Sequence, residues 1–323
     1  MDYTHLGRSG LSVSRLCLGT MNFGPQASEE DSHDIMDAAL DAGLNFFDTA
    51  NVYGWKKGEG VTEQIVGRWF AKGGGRRDKV VIATKVYGSM SDWPNDTFLS
   101  ARNIRNACEG SLRRLQTDHI DLYQMHHVDR NTPWDEIWQA METLVQQGKV
   151  LYVGSSNHAG WNIAQAMETA HVRHFLGLVS EQCLYNLAER HAEEEVLPAA
   201  QHYGLGIIPW SPLMRGLLGG ILQKPSRTGR SASDITTRLL EKHRDQVQRY
   251  EELCNRVGAH PAVVGLAWLL RQPAVTAPIT GPRTIEQLNT SLQALALDLT
   301  DDVVAELDAI WPGPGPAPEA WAW

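Results

Sequence analysis

The sequence predicts an α/β fold: a (β/α)8 TIM barrel with an N-terminal β-hairpin and an extended loop and helical insertion after its seventh strand. Three observations point there. A short apolar strand, a polar loop and an amphipathic helix recur along the chain at spacings of about thirty to forty residues. The strands of these units end near Leu18, Phe47, Thr84, Met125, Val153, Glu181, Trp210 and Ile279, and that number of parallel strands closes a barrel. Finally, 323 residues with 42% hydrophobic content suffice for one large barrel, so residues 1–323 read as a single domain.

Residues 1–14 read as the hairpin. Tyr3-Thr4-His5-Leu6 and Leu11-Ser12-Val13 flank a glycine-bearing turn, Gly7 to Gly10, and the pair is placed to plug the bottom of a barrel. Ser28-Glu29-Glu30-Asp31 has the form of a capping box, followed by Ile35, Met36, Ala39 and Leu40 at helical spacing and by Gly43 as the stop. Thr132-Pro133-Trp134-Asp135 repeats the pattern with proline at the first helical position; Trp134, Ile137, Met141, Leu144 and Val145 form its apolar stripe before Gly148.

The seventh unit breaks the spacing. About seventy residues separate Trp210 from Ile279, well beyond one barrel unit. Residues 212–257 therefore read as an insertion: a flap rich in glycine, serine and arginine as far as Asp234, and a helical segment through Cys254. Residues 311–323 form a tail whose alternating prolines exclude helix, with Trp321 and Trp323 expected to fold back on the body.

Composition narrows the function. A net charge of -9 gives no electrostatic grip on nucleic acid or anionic membrane. No apolar run approaches the roughly twenty residues of a spanning helix, and Met1 to His5 lacks the pattern of a secretory signal, so the cytoplasm is the expected location. Cys17, Cys108, Cys183 and Cys254 are scattered without a C-x-x-C pair, which suits buried thiols better than disulfides or zinc. Monomer and homo-oligomer are both compatible with this sequence.

Barrel chemistry gathers at the C-terminal strand ends. Asp48 ends the apolar run Leu44-Asn45-Phe46-Phe47, and Tyr53 follows five residues on. Taken alone, Asp48 fits either a cap on the next turn or a carboxylate aimed above the strands. Strand three, Val80 to Thr84, delivers Lys85, either a rim lysine in water or a buried ammonium that Asp48 would pair. Strand four delivers His126, with His127 expected to face away because side chains alternate along a strand; adjacent histidines then make a poor metal pair. Together the four suit carbonyl reduction: a lysine cation held by Asp48 favours the phenolate that Tyr53 leaves on giving up a proton, and His126 orients the carbonyl oxygen.

With D-T-A-x-x-Y-G, T-K and D-L-Y-Q-M-H in chain order, Asp48, Tyr53, Lys85 and His126 resemble the catalytic tetrad of the aldo-keto reductases, the branch that includes channel β-subunits. The resemblance runs from the hairpin to about Leu297 and implies NADPH as cofactor. It assigns cofactor contacts to Gly19, Thr20 and Met21, to Asp48, to Ser156, Asn157 and Gln182 around the carboxamide, and to Trp210 stacked on the nicotinamide. Ser211, Pro212, Leu213 and Gly216 follow, and Gly281, Arg283 and Gln287 would hold the adenosine end, with Arg283 facing a 2′-phosphate. Ser291 departs from the asparagine often found in that family. No G-x-G-x-x-G opens a helix after a strand, and Gly73-Gly74-Gly75 reads as a surface turn.

The implied substrate is a small aldehyde or ketone, in a pocket walled by Trp55, Tyr87, Trp93 and His127, which favours apolar or aromatic carbonyls. Two other readings keep the same residues: a non-catalytic NADPH-binding regulatory subunit, and a Schiff-base aldolase using Lys85. The aldolase needs a neutral amine, which an adjacent Asp48 opposes. A metal-dependent hydrolase lacks the H-x-H ligand pair, so no metal is expected.

Overall fold

The computed structural model describes residues 1–223 and 229–316. An antiparallel hairpin, β1 (Tyr3–His5) with β2 (Ser12–Ser14), precedes a parallel sheet of eight strands. These are β3 (Cys17–Gly19), β4 (Phe46–Asp48), β5 (Val81–Val86), β6 (Ile120–Met125), β7 (Val150–Ser156), β8 (Leu178–Gln182), β9 (Gly206–Ile207) and β10 (Ile279–Thr280). Neighbours follow chain order from β3 to β9, and β10 pairs with β3. The Ile207–Val275 bridge and the Ile279 N–H to Pro209 O bond (2.9 Å) join the remaining edges, making a (β/α)8 barrel.

Among the described residues the α-helices are α1 (Glu29–Asp41), α2 (Val61–Ala71), α3 (Arg76–Lys79), α4 (Ala101–Leu115), α5 (Trp134–Gln146), α6 (Gly160–Val172), α7 (Val196–Tyr203), α8 (Asp234–Lys242), α9 (Arg244–Val257), α10 (Pro261–Arg271), α11 (Ile285–Leu292) and α12 (Asp301–Ile310). The capping box at Ser28 and Asp31 is formed in both directions. Pro133 is the N-cap of α5, one place earlier than the sequence suggests, because its ψ of 147° leaves it extended.

Strand alternation sorts the core. Leu6 and Val13 of the hairpin region share an interior cluster with Cys17, Phe46, Val81, Ala83 and Leu122, so the hairpin closes the bottom of the barrel. Phe47 turns the other way and stacks on Trp69 of α2, with ring centroids 5.6 Å apart. Both phenylalanines are fully buried, and truncating either to alanine would cost about 3–5 kcal/mol.

Several boundaries differ from the sequence reading. β5 runs to Val86, so Lys85 lies within the strand; β7 runs to Ser156 and β8 to Gln182. The seventh strand stops at Ile207, because Pro209 has no N–H to give, and Trp210 keeps only a bridge to Leu184. In the insertion, Leu217, Leu218 and Ile221 are buried in the main core, while α8 and α9 supply its helical part. Residues 224–228 of the expected flap, and Trp321 and Trp323 of the tail, lie outside the described residues. Trp311 at the start of the tail is buried.

Candidate active site

Asp48 leaves β4 with its side chain inside the barrel mouth, in register with Ala83, two residues before Lys85 on β5. Lys85 is fully buried, and its Nζ lies 2.5 Å from Asp48 Oδ1, 2.9 Å from Thr49 O and 3.4 Å from Tyr53 Oη. An unpaired ammonium there would be prohibitively costly, so these three acceptors are what make the position tenable. Burial pulls the Lys85 pKa down, but Asp48 and Tyr53 outweigh it and the net pKa lies above the ordinary lysine value. The lysine is a cation at neutral pH.

Asp48 is also a hub for neutral donors. Gln124 Nε2 and Gln182 Nε2 donate to its other oxygen at 3.0 and 2.9 Å, and Gln182 Nε2 also lies 3.2 Å from Gln124 Oε1. Tyr53 packs its ring edge-on to His126, centroids 5.9 Å apart. Burial, then Lys85, then His127 push the His126 pKa well below its usual value, so the imidazole is neutral.

His127 does not face away from its neighbour. The two rings stack at 5.1 Å and 11°, and His127 also meets Tyr87 at 5.2 Å. The strand ends at Met125, so alternation no longer governs the next two residues. Tyr87 continues the contact to Phe98 at 5.2 Å. Trp55 and Trp93 are 64% and 73% exposed on neighbouring loops, which the Lys57–Asp92 ion pair ties together.

Asn157, in the left-handed region at φ 60°, links three parts of the rim. Its Nδ2 donates to His126 O at 3.0 Å and to Ser156 Oγ at 3.1 Å, and its Oδ1 accepts the Trp210 indole N–H at 3.0 Å. Trp210 is thereby fixed as a half-buried shelf. After it, Ser211, Met214, Arg215 and Gly216 all have positive φ, and Ser211 Oγ accepts the Arg215 N–H at 3.2 Å. Pro212 is buried and Leu213 is packed against the main core.

Across the mouth, a Cβ on Gly19 would strike Ile279 Cγ2 at 2.5 Å, so this strand end must stay bare. Thr20 is anchored by its N–H and hydroxyl to Asp48 O at 3.0 and 2.9 Å, and Met21 follows. Asn22 Nδ2 donates to Gly281 O at 2.7 Å. Thr284 caps α11, and Gln287 Oε1 accepts the Arg283 N–H at 2.9 Å. The Arg283 guanidinium and Gln26 Oε1 both border Gly229, which brings this part of the insertion to the corner. Ser291 Oγ is spent on Gln287 O at 3.0 Å.

A dinucleotide suits this donor set. Asn22 Oδ1 and Arg215 Nε are buried without a hydrogen-bond partner among the described residues. Among those residues no three His, Cys, Asp or Glu side chains are arranged to hold a metal ion.

Sequence reasoning missed Gln124, Ser155, Glu181 and His158. Gln124 carried a signal, since it shares the inward register of Leu122 and so puts an amide where an apolar side chain is expected. Glu181 is fully buried, with Ser155 Oγ at 2.5 Å and the His158 N–H at 3.0 Å. Burial raises its pKa to about 8, the Ser155, His158 and Asn157 hydrogen bonds only partly opposing it.

Residues 15–312 match the model of the aldo/keto reductase family. An uncharacterized oxidoreductase, YrpG, of Bacillus subtilis is 56% identical over the whole of both chains. A putative aryl-alcohol dehydrogenase of Schizosaccharomyces pombe is 34% identical over 95% of this chain and 94% of its own. A probable voltage-gated potassium channel subunit beta of rice is also 34% identical, over 96% of each. With a barrel of this topology and a match spanning nearly its whole length, the chain belongs to the aldo/keto reductase family.

Proposed function

We propose that the protein is an NADPH-dependent reductase that converts an aldehyde or ketone to an alcohol, with Tyr53 as the general acid. One observation carries this reading: a buried lysine cation, paired with Asp48 at 2.5 Å, lies 3.4 Å from the Tyr53 hydroxyl. When bound, NADPH supplies the hydride. Tyr53 Oη gives its proton to the carbonyl oxygen as that oxygen takes up charge, and Lys85 stabilises the phenolate left behind. Neutral His126 donates to the same oxygen and orients it. Asp48, saturated by Lys85, Gln124 and Gln182, keeps the lysine charged and still.

The raised Lys85 pKa disfavours the Schiff-base alternative, which needs a neutral amine. Trp210 would form the nicotinamide shelf, with Ser156, Asn157 and Gln182 around the carboxamide. Arg283, at the capped start of α11, would favour the 2′-phosphate of NADPH. Tyr87 with His127, and the exposed Trp55 and Trp93, favour an apolar or aromatic carbonyl; the aryl-alcohol dehydrogenase relative agrees in class. All four cysteines are free and buried, and no described helix is long and apolar enough to cross a membrane, which agrees with a cytoplasmic enzyme.

The test is NADPH consumption across a carbonyl panel by wild type and Tyr53→Phe. Loss of the phenol should leave the NADPH Kd in place while turnover falls by two orders of magnitude or more. Tight NADPH binding with no turnover of any carbonyl would end the reductase reading and point to a regulatory subunit. A borohydride-trapped adduct on Lys85 would point to an aldolase.

A further inference from the structure

Flanking Asn157, which holds the Trp210 indole, is a buried polar cluster that the proposed chemistry does not use. Ser155 on β7, His158 in the loop that follows β7, and Glu181 on β8 are each buried. The Glu181 carboxyl contacts Ser155 Oγ at 2.5 Å and accepts the His158 N–H at 3.0 Å. Ser155 Oγ also reaches Ser180 O at 3.3 Å, so a protonated carboxyl can donate to the serine while the serine donates onward. His158 Nδ1 is 2.9 Å from Ser156 O, which makes it the N–H of that ring, and 4.0 Å from Glu181 Oε2. The carboxyl thus grips both ends of the segment 155–158, whose middle is Ser156 and Asn157.

That middle has an unusual backbone. Asn157 holds φ 60°, a left-handed conformation that asparagine visits more readily than other side-chain-bearing residues but that its surroundings must still fix in place. Its side chain then ties Trp210 Nε1 and His126 O, both at 3.0 Å. We infer that Glu181 is a positioning residue for the aromatic shelf: by clamping Ser155 and the His158 backbone, it keeps Asn157 in the left-handed region and hence Trp210 in place.

The electrostatics agree with the geometry. Ser155 from β7 is uncharged, the His158 pKa is pushed down to about 4 mainly by its burial, and burial raises the Cys183 thiol well above its usual value. No cation among the described residues pairs with Glu181, whose own pKa rises to about 8. At neutral pH the clamp is a neutral acid; on ionisation the Ser155 hydroxyl turns to donate to the carboxylate, and a buried charge with no cation beside it is left next to the segment.

Trp210 provides a readout that needs no cofactor. In ligand-free protein labelled with 15N-tryptophan, its indole resonance is assigned by its disappearance in Trp210→Phe. We expect that resonance to titrate near pH 8 in wild type and to hold its neutral-pH position without titrating in Glu181→Gln. In Glu181→Leu it should be displaced, and the NADPH Kd should rise about tenfold. A folded Glu181→Leu protein with the wild-type Trp210 resonance and a Kd within about twofold of wild type would overturn the inference. Should that variant not fold, Ser155→Ala removes only the hydroxyl under the carboxyl, and the same two outcomes decide. The cofactor role of the shelf rests on the proposed function: if wild type binds no NADPH that reading fails, while the indole measurement still decides the positioning role.

Discussion

Gln182 reaches across the barrel mouth from β8 to place its Nε2 2.9 Å from Asp48 Oδ2 on β4. With Lys85 on the other oxygen and Gln124 beside it, this contact leaves Asp48 fully occupied, so its charge is committed to holding Lys85.

Breaking that pair from one side should be severe. Asp48→Asn leaves a fully buried ammonium without its counter-charge, and Lys85→Met leaves a buried carboxylate with only amide donors. Each single change should lower unfolding free energy by about 3–5 kcal/mol, whereas the double variant should lose clearly less than the sum of the two. Urea denaturation of all four proteins measures the coupling. Additive losses would mean that the pair carries no mutual stabilisation.

Glu181 gives stability a pH dependence of the opposite sense to the usual acidic group. Its folded pKa is raised to about 8, so between the unfolded carboxylate range and pH 8 the folded state holds one more proton than the unfolded chain. The contribution is fully present below about pH 4.3 and is lost as pH rises through about 8. Glu181→Gln should remove this slope and leave the variant more stable than wild type at pH 8 by a few kcal/mol. Calorimetric melting between pH 5 and 8.5 reads the difference directly.

Asn157 separates strain from tethering. At φ 60°, Asn157→Gly and Asn157→Ala both lose the bonds to His126 O, Ser156 Oγ and Trp210 Nε1, but only alanine keeps a Cβ in that conformation. The glycine variant should be the more stable of the two by about 1 kcal/mol, and both should lose the fixed Trp210 geometry, seen as a weaker near-ultraviolet tryptophan dichroism. Equal stability would show that the left-handed backbone carries no strain.

Much of this arrangement is legible in the sequence, and the gaps have physical causes. Asp48 and Lys85 are readable because strand alternation turns both inward and the cost of burying a lone ammonium demands a partner. The repeat of strand and helix, the capping box at Ser28 and the hairpin plug follow from local patterns. Glu181 with Ser155 is hidden because the register shifts between Val153 and Ser155, and a bulge of this kind leaves no mark in the residue pattern. The stacking of His126 on His127 is hidden because it depends on where β6 ends. The approach of Gly229 to Arg283 depends on how a long insertion returns to the barrel, and loop paths have no periodicity to read.

His126 carries a last prediction, about the acidic side of the rate profile. An exposed histidine acquires charge near pH 6.5, and a cationic donor there would add an activity limb in that range. Burial, the Lys85 cation and His127 all act against a second positive charge on His126 and hold its pKa well below that value. The neutral imidazole is therefore the working form across the physiological range, able to donate to a carbonyl oxygen without itself titrating. Single-turnover reduction should show no inflection between pH 6 and 7 that can be assigned to His126. His126→Gln retains a neutral donor of similar reach and should keep the shape of that profile while lowering the rate. An acidic limb near pH 6.5 in wild type that vanishes in His126→Gln would mean that the ring is charged during the reaction, and the neutral-donor role would have to be abandoned.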